Sequence, residues 1–183
     1  HVDGIAVDDN GMLHIHIVEG IVEDIVPAGN KKTRNKVITR EFVQKTGKPF
    51  NKFLVRRSVE RVYNLGFFDD VNVRMLPGEK DPNNVIIEID VLEHKTGTIT
   101  LGAGYSKSDG LMGIVEFGED NLRGTGDKFK VHWEIGGKKK YKNYQISYLK
   151  PWIDHRGTSL GFSFFNREDE YTDYDSDGSE VAE

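Results

Sequence analysis

Strict alternation of apolar and polar residues in the second half of the sequence limits the possible folds more than any other feature. In the segment 128–135 every second residue is apolar, and the residues between are lysine, histidine or glutamate. Similar segments lie on both sides of it, around Leu101, Ile114, Ile146 and Phe162. A period of two places such residues on opposite faces of β-strands. A soluble β-sandwich would also alternate, so the period alone leaves both a sandwich and a membrane-spanning sheet open.

The length of these segments and the residues on their less apolar face favour a membrane-spanning sheet over a sandwich. Their length is close to the roughly 9 to 11 residues with which a tilted strand crosses a bilayer. The opposed faces carry small or polar residues, such as Thr100, Gln145 and Ser163, as expected around a wetted lumen. Trp133 lies near a segment end, where interfacial aromatic residues are expected. Five strands cannot close a barrel, so we expect the rest of one to follow Glu183 in a longer protein.

The composition excludes several other classes. The chain is 37% hydrophobic and has no apolar run of roughly 18 residues, so no transmembrane helix is predicted. It contains no cysteine, which excludes a disulfide framework and zinc–thiolate sites. The Ser, His and Asp residues form no recognisable catalytic pattern, and the basic residues are scattered instead of interleaved with stacking aromatics. We therefore predict neither an enzyme nor a nucleic-acid-binding protein, and no cofactor.

Helical periodicity is confined to the first half. Val55, Val59 and Val62 form the apolar stripe of a helix that Asn51 can cap and that Gly66 ends. A shorter helix that carries Val37, Ile38 and Phe42 is predicted before it, with Thr33 as its N-cap. Strands are predicted over 20–26, 68–76 and 85–92, the first of them broken by Pro27. The predicted order is therefore β-α-α-β-β.

A hairpin at the start of the chain resembles the hairpin that closes this unit and suggests an internal repeat. The division predicted is 1–19 as the last hairpin of a preceding copy, 20–93 as one α+β domain, and 94–183 as the sheet of alternating strands.

Four short segments carry a resemblance to a known family. The segments VITREF (37–42) and NLGFFDDVNV (64–73), the glycine-rich connection GEDNLRGTG (118–126) and Lys150-Pro151-Trp152 follow one another in the expected order. Together they are similar to the polypeptide-transport-associated (POTRA) domain and the first barrel turns of the BamA-type outer-membrane assembly and translocation family, the bacterial surface antigen family. The fold class implied is an α+β POTRA domain followed by antiparallel transmembrane strands of a truncated all-β barrel.

The resemblance implies a function without covalent chemistry. That function is the insertion and assembly of β-barrel proteins in the outer membrane of a Gram-negative-type bacterium, with the POTRA part in the periplasm. The partners implied are unfolded outer-membrane protein substrates, outer-membrane lipids, and accessory periplasmic or lipoprotein subunits. Two alternatives stay open: a polypeptide translocation pore of the same family, and a soluble β-rich interaction domain.

Backbone templating is the mechanism we expect, since an open sheet edge can pair with an incoming strand whatever its sequence. Two POTRA edges are candidates, and their residues are Gly20, Ile21, Val22 and Glu23 in one strand and Phe68, Val71, Val73 and Met75 in the other. The third candidate is the first barrel strand, a seam formed by Gly97, Thr98, Ile99, Thr100, Leu101, Gly102, Ala103, Gly104 and Tyr105. Its glycines should weaken strand pairing, and in the family that it resembles substrate strands are thought to enter at this seam.

One motif near the end of the chain suggests a metal. Asp173, Asp175 and Asp177, followed by Gly178, match the opening of a calcium loop. Glu180 stands where such a loop has an apolar residue, and no helix is predicted beside it. A solvated surface loop is therefore favoured over a calcium site.

Overall fold

The computed structural model describes residues 2–8, 11–17, 19–107, 110–137, 141–168, 173–174 and 180–181. The chain divides into two compact units. Unit 1 comprises His1–Thr96 together with Asn121–Gly126, and unit 2 comprises Gly97–Asp120 together with Asp127–Glu183. The assignment of 1–19 to a preceding repeat stays a prediction.

Unit 1 contains an α+β domain whose sheet has three strands. The strand of this sheet that comes last in the sequence lies in its centre. It is parallel to the first strand of the sheet and antiparallel to the second. A separate antiparallel hairpin precedes it. The elements are the hairpin β1 (Val2–Val7) and β2 (Leu13–Ile17), then β3 (Val22–Ala28), α1 (Asn35–Thr39), α2 (Lys52–Tyr63), β4 (Phe68–Pro77) and β5 (Val85–Glu93). The predicted β-α-α-β-β order is confirmed.

The core of this domain lies between the helices and one face of the sheet. Ile87, Ile89 and Val91 alternate along β5, and all are buried because they share the face on which the helices pack. Val62 from α2 and Phe42 from the segment after α1 are buried in the same cluster. The apolar stripe predicted for α2 thus faces the sheet.

The ends of α2 follow the predicted signals. The Asn51 side chain accepts the N–H groups of Phe53 and Leu54 at 2.9 and 3.2 Å, which satisfies two of the donors that a helix start leaves unpaired. Gly66, with φ 72°, lies just after the helix in the left-handed conformation that glycine adopts without strain.

Three local predictions in unit 1 are wrong. Thr33 does not cap α1, whose N-cap is Arg34 without a side-chain hydrogen bond, because the Thr33 hydroxyl is bonded to the Asn121 amide at 2.8 Å. The helix ends at Thr39, before Phe42. Strand β3 also continues through Pro27 instead of ending before it, which an edge strand tolerates because one of its sides needs no ladder bonds.

Unit 2 is built on one five-stranded sheet in which strands consecutive in the chain are neighbours. Its strands are β6 (Gly97–Ser106), β7 (Gly110–Leu122), β8 (Asp127–Gly136), β9 (Tyr141–Lys150) and β10 (Leu160–Asn166), and a short hairpin of β11 (Asp173–Tyr174) and β12 (Glu180–Val181) follows. The connection predicted over Gly118–Gly126 is narrower than expected, because β7 extends to Leu122 and the turn occupies 123–126.

Asp175 and Asp177 lie outside the described residues, and the side chain of Asp173 is not described, so the calcium motif is untested. Among the described residues, no three or more His, Asp or Glu side chains gather in a group that could hold a metal ion. No helix within the described ranges combines the length and apolarity needed to cross a membrane.

Candidate functional site

The candidate site consists of strand edges, and the sheet orders show which strands provide them. In the sheet of unit 1, β3 and β4 lie at the two edges. In the sheet of unit 2, the edges are β6 and β10. The strands predicted as edges are therefore edge strands, but their backbone groups differ in what they already bind.

The first residues of the β3 edge are covered by the loop 47–50. The Gly20 carbonyl accepts the Phe50 N–H at 2.9 Å, and the Val22 N–H donates to the Lys48 carbonyl at 2.9 Å. The Val22 carbonyl in turn accepts the Gly47 N–H at 2.8 Å. These groups cannot pair with an added strand unless the loop leaves.

The remainder of β3 is protected in a different way. A β-bulge lies between Val22 and Asp24, and the Asp24 carboxylate accepts the N–H of Ile25 at 2.7 Å. Pro27 has no N–H to donate. Bulges, charged residues and prolines are the features with which natural sheets block edge pairing. The β3 edge is therefore closed along most of its length.

Strand β4 carries similar protection at its two ends, and its last residue is Pro77. It has a bulge between Phe68 and Asp70, and the Asp70 carboxylate accepts the Val71 N–H at 2.9 Å. Farther along, the Gly78 N–H donates to the Asn84 carbonyl. Opposed residues of an antiparallel ladder bond alternately, so the backbone groups of Val73 and Met75 point away from β5.

These two residues form the open part of the POTRA edges. Met75 is 62% exposed, and Arg74 between them is held by Glu88 at 2.7 Å on the central strand.

Strand β6 has none of these protections. Its register with β7 runs without a shift from Gly97 opposite Glu119 to Ser106 opposite Gly110. Residues 97–105 include no charged residue and no proline, and all nine side chains or glycine positions are exposed. Among the described residues, no strand pairs with its other side.

The two glycines in the middle of β6 are not required by space. A Cβ at Gly102 would lie 3.7 Å from the Ile114 Cβ, an ordinary contact, and a Cβ at Gly104 would meet nothing within 4 Å. Neither residue has a left-handed backbone. Their effect is therefore to leave this part of the strand without side chains to pack against a neighbour.

The faces of the unit 2 sheet follow the predicted alternation. The rings of Phe117 and Phe129 are 6.4 Å apart on one face, and Tyr148 stands opposite both Phe129 and Phe162 on the strands beside it. The other face carries polar pairs, such as Glu116 with His132 at 3.5 Å. Side chains of the apolar face are exposed, Phe162 by 63% and Leu101 by 74%, as for a surface that lipid covers.

Sequence reasoning missed the residues that close the POTRA edges. Pro27, Asp24 and Asp70 were visible in the sequence, and charged residues or proline within strand patterns are known signals of protected edges. The loop 47–50 was not recognisable, because nothing local shows that it pairs with β3.

Comparisons with known proteins agree with this architecture. Residues 8–94 match the family model of POTRA, the surface antigen variable number repeat, and residues 121–182 match that of the Omp85 superfamily domain. The chain is similar in structure to BamA from Haemophilus ducreyi lacking POTRA domains 1-3. That comparison has a TM-score of 0.72 at 24% identity and covers 90% of this chain and 32% of the other. At that identity the likeness shows the fold alone.

Relatives in sequence show the family as well as the fold. The outer membrane protein assembly factor BamA of Neisseria meningitidis serogroup B is 32% identical over 156 residues, which are 84% of this chain and 19% of the relative. The protein of that name from Neorickettsia risticii is 33% identical over 138 residues, 75% of this chain and 18% of the relative. The chain thus spans about a fifth of the length of these curated relatives. It belongs to the BamA-type family of outer-membrane proteins within the Omp85 superfamily, as a periplasmic POTRA domain followed by strands of the barrel.

Proposed function

We propose that this chain takes part in the insertion and assembly of β-barrel proteins in the outer membrane, and that it acts by offering strand edges as templates. The names of its relatives as outer membrane protein assembly factors support the process. The observation that carries the mechanism is the edge of β6, which is regular, uncharged and without a partner strand among the described residues.

Edge pairing explains how one protein could handle many substrates. An incoming strand bonds to the N–H and C=O groups of the template, which are the same for every sequence. Because the bilayer core has no water to bond backbone groups, pairing at β6 also satisfies N–H and C=O groups that would be costly to leave unpaired in lipid. No cofactor or covalent step is needed.

The POTRA edges would contribute unequally. Strand β3 is closed by the loop 47–50, Asp24 and Pro27. We therefore assign reception of an unfolded polypeptide on this domain to the open part of β4, Val73–Met75. This narrows the two edges predicted from the sequence to one.

The glycines of β6 provide the first test. In the full-length protein, Gly102→Val together with Gly104→Val should strengthen pairing at the seam, since valine favours strands and finds room at both positions. We expect slower assembly of client barrels in cells that depend on this variant, measured by the appearance of folded, heat-modifiable client protein. The matched control is Ala103→Val, which adds the same side chain to the same strand without removing a glycine.

If the double variant assembles clients as fast as the control, a weak seam has no role. The variant protein must also reach the membrane in normal amounts, which immunoblotting of membrane fractions checks.

A translocation pore of the same family is the second candidate. It would pass a polypeptide through the barrel without pairing to β6, so it predicts that substitutions at Gly102 and Gly104 leave its substrate's passage unchanged. A soluble interaction domain is disfavoured, because no second sheet covers the exposed apolar face of β6–β10 within the described part of the chain. The partners that belong to this proposal are unfolded outer-membrane proteins as substrates, outer-membrane lipids, and accessory periplasmic or lipoprotein subunits.

A further inference from the structure

The turn between β7 and β8 belongs by its contacts to unit 1, although the chain supplies it from between two strands of unit 2. Asn121 is only 1% exposed, and its side-chain amide donates to the Thr33 hydroxyl at 2.8 Å. The same side chain accepts the Gly126 N–H at 2.9 Å. One asparagine thus shapes the turn and fixes it to the loop before α1.

The backbone of the turn lies directly on that loop. The Arg34 N–H donates to the Gly124 carbonyl at 2.9 Å. Gly124 has φ 72°, and a Cβ there would overlap the Lys32 carbonyl. A Cβ at Gly126 would lie 2.7 Å from the Arg40 guanidinium. Gly124 is therefore required by close approach to the Lys32 backbone, in contrast with the glycines of β6. Gly126 is favoured by its left-handed φ of 76°.

The loop that receives the turn is itself held by Glu93 at the end of β5. The Glu93 carboxylate accepts the backbone N–H groups of Lys31 and Lys32 at 2.8 Å each and that of Thr33 at 2.6 Å. It also accepts a hydrogen bond from the Thr33 side chain. The Thr33 hydroxyl therefore donates to Glu93 while it accepts from Asn121, and it is 3% exposed.

We propose that Glu93, Thr33 and Asn121 form a permanent clasp, which keeps the segment 121–126, the end of β7 and the turn after it, seated on the POTRA domain throughout the assembly cycle. Thr33 and Asn121 are buried and Glu93 is half-buried. A hydrogen-bonded network with buried members that are all satisfied is rigid, since opening it breaks several bonds together. Thr33 and Asn121 are positioning residues, and their part in assembly rests on the proposed function.

The first experiment tests the clasp without reference to function. In the purified full-length protein, Thr33→Val removes the hydroxyl at nearly constant size, whereas Thr33→Ser keeps it. We expect the amides of Arg34 and Gly126 to exchange with deuterium on the order of tenfold faster in Thr33→Val, and at the original rate in Thr33→Ser. Equal exchange in the two variants would overturn the clasp.

The second experiment tests permanence. Since this chain contains no cysteine, Thr33→Cys with Asn121→Cys allows the turn to be fastened by a short bifunctional thiol reagent. We expect client assembly to be reduced severalfold in Thr33→Val and in the untreated cysteine pair, and restored by crosslinking. Assembly that stops on crosslinking would show that the clasp must open, and full assembly by Thr33→Val would show that it is dispensable.

Failure of the proposed function would look different. Depletion of the parental protein would then leave client assembly unchanged, while the exchange difference between Thr33→Val and Thr33→Ser would persist.

Discussion

Gly47, Gly66 and Gly124 share a backbone φ of 72° but have different surroundings. A Cβ at Gly47 or Gly66 would meet nothing within 4 Å, whereas one at Gly124 would overlap the Lys32 carbonyl. The left-handed conformation accounts for the first two glycines. At Gly124 the contact between two backbone segments is a further requirement.

Alanine at these positions separates the two effects. Gly47→Ala should cost roughly 1–2 kcal/mol of stability, the strain of a left-handed residue. Gly124→Ala should cost about 1–3 kcal/mol more, because the added methyl group displaces the Lys32 backbone. Urea unfolding of unit 1, followed by hydrogen exchange of its core amides in the detergent-solubilised protein, measures both. Equal costs would contradict the close approach.

The surroundings of Glu93 lower its pKa, which predicts how stability depends on pH. Burial alone would raise its pKa, but hydrogen bonds from the Thr33 side chain and from the backbone of Lys32, Thr33 and Lys31 outweigh it and lower the pKa below the ordinary value of 4.5. A carboxyl with a lower pKa in the folded state stabilises that state above its unfolded pKa. The contribution is lost as the pH falls through the folded pKa.

Protection of the Lys31–Thr33 amides should therefore be constant from about pH 7 down to about pH 5 and decline below the unfolded pKa of Glu93. Glu93→Gln should lower protection at neutral pH and remove most of the acid-dependent decline. Hydrogen exchange corrected for the intrinsic pH dependence of amide exchange is the measurement. A decline of the same size in Glu93→Gln would assign it to another group.

At the level of elements, the features predicted correctly are those with local causes. Asn51 and Gly66 mark the ends of α2 through bonds and backbone angles within a few residues, and alternation fixes the faces of β6–β10. Thr33 looked like a helix cap because its partners, Glu93 and Asn121, are 60 and 88 residues away. The closure of β3 by the loop 47–50 is likewise non-local, so neither the contacts of Thr33 nor this closure could be predicted from sequence pattern.

The two faces of β8 provide the element-scale prediction. Val131 stands opposite Ile146 on the apolar face, and His132 lies on the polar face beside Glu116. In the full-length protein, Val131→Arg should destabilise the membrane-inserted state by up to about 2–4 kcal/mol. His132→Arg introduces the same side chain but can keep the pairing with Glu116, so it should be tolerated.

The measurement is the fraction of each variant that folds in lipid vesicles, read from heat-modifiable gel migration. Similar folding of Val131→Arg and His132→Arg would mean that the apolar face does not face lipid.

Across the whole molecule, the strand edges differ in how far they are protected. The β3 edge is closed by backbone bonds, an aspartate and a proline, and β4 is open only at Val73–Met75. Strand β6 carries neither charge nor proline over 97–105, and no strand pairs with its outer side among the described residues. An unprotected edge pairs with any strand that reaches it, so protection of the other edges would restrict pairing to one strand. We therefore expect incoming client strands to pair with β6.

Site-specific photo-crosslinking during assembly of a labelled client barrel tests this claim most directly. A photoreactive residue would replace Leu101 in β6, Met75 in β4 or Val26 in β3, one at a time in the full-length protein. We expect strong client adducts from position 101, weaker ones from position 75 and background levels from position 26. Client adducts from position 26 that equal or exceed those from position 101 would contradict the proposal that β6 is the pairing edge.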